Sequence, residues 1–142
     1  MLFKNSKIPI WINVLQVLLT VIMFQQAYIY FFDHESLISA GIDINGTSQL
    51  NLIYEFASRT LVMAIISIFV LITQNPRYFL VVLLMNIFRE GSETIIDPMF
   101  PLANAPMTPA ADLIAHIVIV LIEILAFMKI FKIVKEMNNR EN

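Results

Sequence analysis

Four long apolar runs alternate with polar stretches along the chain, at residues 8–32, 50–73, 77–97 and 110–133. Each run is close to the roughly 20 helical residues that cross the hydrocarbon core of a bilayer. The second run stops at "QNPR", where Pro76 disfavours a helical conformation at Asn75. The pattern predicts an all-α fold, an integral membrane four-helix bundle of up-down topology that forms a single transmembrane domain over residues 1–142.

Composition supports a membrane protein and excludes some other classes. Of the 142 residues, 58% are hydrophobic and only 14% are charged, with a mean hydropathy of +0.77, whereas about a quarter of the residues in soluble domains are charged. The net charge of −2 and the lack of a basic patch exclude nucleic acid as a partner. The chain contains no cysteine, so disulfides and thiolate metal ligands are excluded.

The distribution of lysine and arginine predicts the orientation, because short cytoplasmic loops are enriched in both. The connections 33–50 and 98–109 contain neither residue type. Seven of the nine basic residues lie at the two ends and in the second connection: Lys4, Lys7, Arg77, Lys129, Lys132, Lys135 and Arg140. We therefore expect both termini to be cytoplasmic. The first run is too long for a signal peptide and no small-residue cleavage site follows it, so we expect it to be retained.

The size and the Ile/Asn-rich composition suggest a multi-pass protein of the bacterial inner membrane. Four short spans with both ends inside resemble the layout of the small bacterial membrane proteins of the DoxX-like kind. This resemblance is one of topology, so it implies no activity and no site residues.

Polar residues inside the runs are the candidates for function, because charge in hydrocarbon is costly and usually faces a protein interior or water. At about 100° per residue, Asn86, Glu90, Glu93 and Asp97 form one stripe, and Asp112, His116 and Glu123 form another. Antiparallel neighbours would bring Glu93 level with His116 and Asn86 level with Glu123. We expect a polar cluster in the outer half of the bundle, comprising Glu55, Arg59, Asn86, Arg89, Glu90, Glu93, Asp112, His116 and Glu123.

Several roles for this cluster are open from the sequence. Glu55 with Arg59 and Arg89 with Glu93 have the i,i+4 spacing of ion pairs, which would make the cluster structural. The carboxylates outnumber the arginines, so a shared proton or a divalent metal on Glu55, Glu93 and His116 would supply the missing positive charge. No HExxH motif accompanies them.

Two further roles involve a small molecule. An amphiphilic ligand could enter from the outer leaflet with its polar head on Arg59 or Arg89, and a small membrane enzyme could use His116 with Glu93 or Glu123. A binding or accessory membrane protein is the preferred interpretation. Its partners would be the lipid bilayer, a cation or amphiphilic small molecule, and a second copy of the chain or another membrane protein.

Overall fold

A computed structural model describes residues 8–105 and 107–141. Within them the chain forms five helices and no strand, so the all-α prediction is confirmed. The helices are α1 (Ile10–Phe32), α2 (His34–Ser39), α3 (Thr47–Thr73), α4 (Pro76–Met99) and α5 (Pro109–Glu141). Lys4, Lys7 and the side chain of Arg140, on which the orientation partly depends, lie outside the described residues.

The four long helices form two antiparallel pairs. On α1 and α3, Tyr30 packs on Phe56 near one end, and Gln16 bonds Ser67 towards the other. On α4 and α5, His116 lies beside Asp97 near one end of the pair, and Arg77 donates to Asn138 at the other end. All four helices contribute to an apolar core in the half nearest the turn between α3 and α4. Its members are Ile8, Ile12, Val70, Phe79, Val82, Leu83, Ala126 and Ile130.

Local sequence explains the main breaks between helices. Gln74 ends α3 in the left-handed region at φ 51°, and its side-chain amide donates to Leu71 O at 2.6 Å and to Asn13 Oδ1 at 2.8 Å. Asn75 then caps α4 by accepting from the backbone N–H of Arg77, with Pro76 at the first helical position. Hydrogen bonds therefore fix the α3–α4 turn on both sides.

The short helix α2 was not expected from the apolar pattern. Asp33 begins it by accepting hydrogen bonds from the backbone N–H and the hydroxyl of Ser36, at 3.1 and 2.6 Å. These two bonds hold the pKa of the Asp33 carboxyl below its usual range. At the other end of the chain, α5 continues beyond residue 133 through the polar segment to Glu141.

The long helices expose many large apolar side chains and bury several polar ones. Each long helix exposes large apolar side chains, for example Val21, Ile65, Val81 and Leu121, which are 54–58% exposed. The same helices bury polar groups, including Gln16, Ser67, Asn86 and Glu123, which are at most 1% exposed. The helices α1 and α3 are each long and apolar enough to cross a membrane, which supports the membrane assignment. The four-span layout stays a prediction.

Candidate functional site

His116 on α5 is the centre of the charged cluster and contacts α4 through both ring nitrogens. Its Nδ1 lies 2.8 Å from Glu90 Oε2. Its Nε2 lies 3.3 Å from Asp97 Oδ2 and 3.8 Å from Asp112 Oδ1, one helical turn before His116 on α5. The stripes of α4 and α5 therefore face each other, with the imidazole between them.

The Glu90 carboxylate is almost fully buried and holds the imidazole from one side. It contacts the guanidinium of Arg89 as well as His116. Arg89 Nη1 lies 3.4 Å from Glu93 Oε1 and 3.4 Å from Gln26 Oε1 on α1. A chain of charged and polar contacts thus runs from α1 through α4 to α5.

Negative charge exceeds positive charge in this region. Five carboxyl groups, those of Glu90, Glu93, Asp97, Asp112 and Glu123, stand against the Arg89 guanidinium and one imidazole. Two sets of three potential metal ligands share His116, and within each set the ligand atoms lie within 4.8 Å of one another. One set is Glu90, Glu93 and His116, and the other is Asp97, Asp112 and His116. Carboxylate and imidazole ligands suit zinc, manganese or iron.

The two sets differ in access and in which ring nitrogen they face. The Asp97 and Asp112 side chains are 41% and 29% exposed, whereas that of Glu90 is 4% exposed. An ionised carboxylate can only accept, so the short contact to an ionised Glu90 requires a proton on His116 Nδ1. In this neutral tautomer the Nε2 lone pair faces the carboxyl groups of Asp97 and Asp112, and a proton on the ring or on an aspartate, or a cation between them, removes the repulsion.

Glu123 lies deeper in the same interface and is fully buried. Neither of its carboxyl oxygens has a hydrogen-bond partner among the described residues. It is close enough to Glu90, Arg89 and Glu93 to interact with them electrostatically. Glu123 is therefore a buried acceptor next to the cluster that lacks a donor.

Asn86 and Glu123 lie at the same depth. Asn86 is eleven residues from Asp97 on α4, and Glu123 is eleven residues from Asp112 on α5, which is about 16 Å of helix in both cases. The Asn86 amide donates to Gln16 Oε1 at 3.3 Å, and Gln16 donates to Ser67 Oγ at 3.0 Å. The Asn86 oxygen has no partner among the described residues. This buried chain joins α4, α1 and α3.

Two members of the predicted cluster lie elsewhere. Glu55 and Arg59 pair with each other at 2.9 Å on an exposed face of α3, with side chains 51% and 78% exposed. Glu55 also accepts from Asn51, and it belongs to neither of the two ligand sets. The metal set predicted from sequence, Glu55 with Glu93 and His116, is thus not brought together; Glu90 and the two aspartates surround His116 instead.

The polar cluster predicted from the sequence did not include α1. Gln16 and Gln26 were expected to hydrogen-bond across helices or to lie at the outer interface; Gln16 is fully buried and Gln26 contacts Arg89. Their spacing gave no signal, because residues ten apart project about 80° from each other around a helix.

Comparison of the chain with protein-family models, curated proteins and solved structures finds no match. We therefore infer the function from the geometry of the site.

Proposed function

We propose that the protein is a four-span membrane protein of the bacterial inner membrane that binds a divalent transition-metal cation between α4 and α5. His116 Nε2, Asp97 and Asp112 are the ligands, and they lie near the non-cytoplasmic surface. The observation that carries the proposal is the orientation of His116, whose Nδ1 is held by Glu90 while Nε2 faces the two aspartates.

This arrangement matches the way in which proteins orient histidine ligands. A metal-bound histidine usually donates its other ring N–H to a carboxylate, which fixes the ring and raises its basicity. Glu90 occupies that position, and its contact with Arg89 fixes it in turn. The cation can therefore bind without breaking the Glu90–His116 hydrogen bond.

The four-span layout is supported by the apolar side chains exposed on all four long helices. A soluble protein rarely exposes such extensive apolar surface, and the surface here continues over α4 and α5, for example at Val81, Leu84, Val118 and Leu125. In addition, Glu123 is the only Asp, Glu, Lys or Arg between Leu113 and Met128. With the ends of this chain in the cytoplasm, Asp97 and Asp112 face the opposite side.

A reporter fused after Asn142 should then be active as a cytoplasmic fusion, and a periplasmic signal would contradict the layout.

Metal binding is tested on the purified full chain in detergent by titration with Zn²⁺, Mn²⁺ and Fe²⁺, followed by elemental analysis. We expect one ion per chain, and loss of binding in His116→Ala and in Asp97→Asn with Asp112→Asn. Binding should weaken as the pH falls, because the ligands must be deprotonated.

Two control variants locate the site. Glu55→Gln lies on the other helix pair and should bind as the wild type does, and Glu93→Gln should retain binding if the cation lies on the aspartate side of His116. If no metal binds to the wild type, or His116→Ala binds equally well, the proposal is wrong. The imidazole would then carry a second proton, and the cluster would be an ion-pair network.

A further inference from the structure

The Glu55–Arg59 pair is exposed at a depth where the other charged residues are buried between helices. In the α1–α3 pair, Tyr30 packs on Phe56 and Phe31 on Tyr54, so Arg59 lies near the level of Gln26, which contacts Arg89. Arg89 and Glu90 face the protein interior with side chains 13% and 4% exposed. The pair on α3 faces outward at the same level.

This outward position is inside the span. About 20 residues cross the hydrocarbon core, and counting back from the end of α3 at Thr73 places Arg59 about five residues, or roughly 7 Å, inside the outer boundary. Charged side chains at membrane depth normally face protein or water. Within the described residues, α3 packs closely on α1 through its opposite face, which includes Ala57, Thr60, Ala64 and Ser67.

The outward face of α3 has the spacing of a helix–helix seam. Six of the exposed residues of α3 follow one another in steps of three and four: Glu55, Ser58, Val62, Ile65, Phe69 and Ile72. This seven-residue repeat keeps one face of a helix towards a partner helix along its length. A small residue, Ser58, stands beside the ion pair and allows a close approach of two backbones.

We propose that two copies of the chain pack through this face of α3, with Glu55 of each copy paired to Arg59 of the other. Charge complementarity favours a second copy of the chain as the partner. A two-fold axis along the membrane normal places the same patch on both sides of the contact, and a neighbouring Glu and Arg then form two reciprocal pairs. The intramolecular contact at 2.9 Å shows that both side chains already lie on this face.

Disulfide crosslinking in membranes tests the contact directly, because the chain contains no cysteine. Ser58→Cys introduces a thiol on the seam, and Ser92→Cys is the matched control. Both serines are exposed, and each donates to the carbonyl four residues earlier, Tyr54 O and Phe88 O respectively. We expect oxidation with copper phenanthroline to yield dimers of the Ser58→Cys chain and at least about tenfold less of the control dimer, and equal yields would overturn the proposal.

Charge reversal shows whether the ion pairs hold the two copies together. In the Ser58→Cys background, Glu55→Arg or Arg59→Glu places like charges across the axis, so each should lower the dimer yield at least about tenfold. A mixture of the two variant chains restores opposite charges in both reciprocal pairs and should recover the yield as mixed dimers. Yields unaffected by either single reversal would contradict the reciprocal pairing, as would failure of the mixture to recover. Normal metal binding by these variants would separate this result from the proposed function.

Discussion

Two buried glutamates offer a stringent test of the electrostatics, because they share burial and differ in partners. Glu90 is 3% exposed and contacts Arg89 and His116, whereas Glu123 is fully buried and neither of its oxygens has a partner among the described residues. The same substitution, Glu→Gln, should therefore destabilise the protein at Glu90 and not at Glu123.

Glu90→Gln removes the negative charge that contacts the Arg89 guanidinium and the His116 imidazole. Breaking a buried pair by removing one partner costs about 3–5 kcal/mol. Arg89 keeps Glu93 and Gln26 as partners, so we expect a loss near the lower limit, about 3 kcal/mol. That loss would raise the unfolded fraction roughly 150-fold.

Glu123→Gln removes an uncompensated acceptor and adds an amide donor at the level of the Asn86 oxygen, which also lacks a partner among the described residues. A hydrogen bond inside a membrane protein contributes about 0.6 kcal/mol on average, with a maximum near 1.7. We therefore expect the free energy of unfolding to be unchanged or raised by about 1 kcal/mol.

The assay is unfolding of each full-length variant by SDS in mixed micelles, followed by circular dichroism. Glu93→Gln serves as the control for loss of a less buried carboxylate in the same cluster. A loss for Glu123→Gln as large as that for Glu90→Gln would refute the reasoning, because it would show that Glu123 has stabilising partners.

Two further expectations concern polar groups away from the charged cluster. Gln16→Ala should lower the free energy of unfolding by about 1 kcal/mol and Ser67→Ala by about 0.6 kcal/mol, because Gln16 bonds both Asn86 and Ser67. Equal losses in the same SDS assay would contradict the chain of bonds. Asp33→Ala should increase amide exchange in α2 with little effect on α1, because the substitution removes both bonds to Ser36. The depressed pKa of Asp33 means that its support for α2 is present above the ordinary value near 3.9 and is lost as the pH falls through the lower folded value. Amide exchange in α2 that does not change across this range would contradict the cap.

The all-α architecture and the alignment of α4 with α5 could be predicted because they depend on periodicity. Polar residues spaced by three and four project on one side of a helix, and a short connection makes neighbours antiparallel. Asp97, Asp112 and His116 meet for this reason. The depth relation between Asn86 and Glu123 follows from the same arithmetic.

The position of Glu55 and Arg59 could not be predicted in this way. Both faces of α3 are rich in apolar residues, since one packs on protein and the other is exposed. Hydrophobic periodicity therefore does not distinguish the face towards α1 from the opposite face, so a polar stripe on α3 has no preferred direction. The missed helix α2 has a different cause, because its start depends on the local bonds between Asp33 and Ser36.

Glu90 connects the stability of the protein with its proposed site. Its carboxylate holds the His116 ring, and it is itself held by Arg89, whose other contacts reach Gln26 on α1. Residues that orient a metal ligand typically change affinity by 10–100-fold when replaced, so Glu90→Gln should weaken metal binding while Asp97 and Asp112 remain. Bound cation stabilises the folded chain by about 2.7 kcal/mol at one hundred times the dissociation constant. At the same metal concentration, the free energy of unfolding should therefore rise much more for the wild type than for Glu90→Gln. An equal rise in both would show that Glu90 does not orient a metal-bound His116.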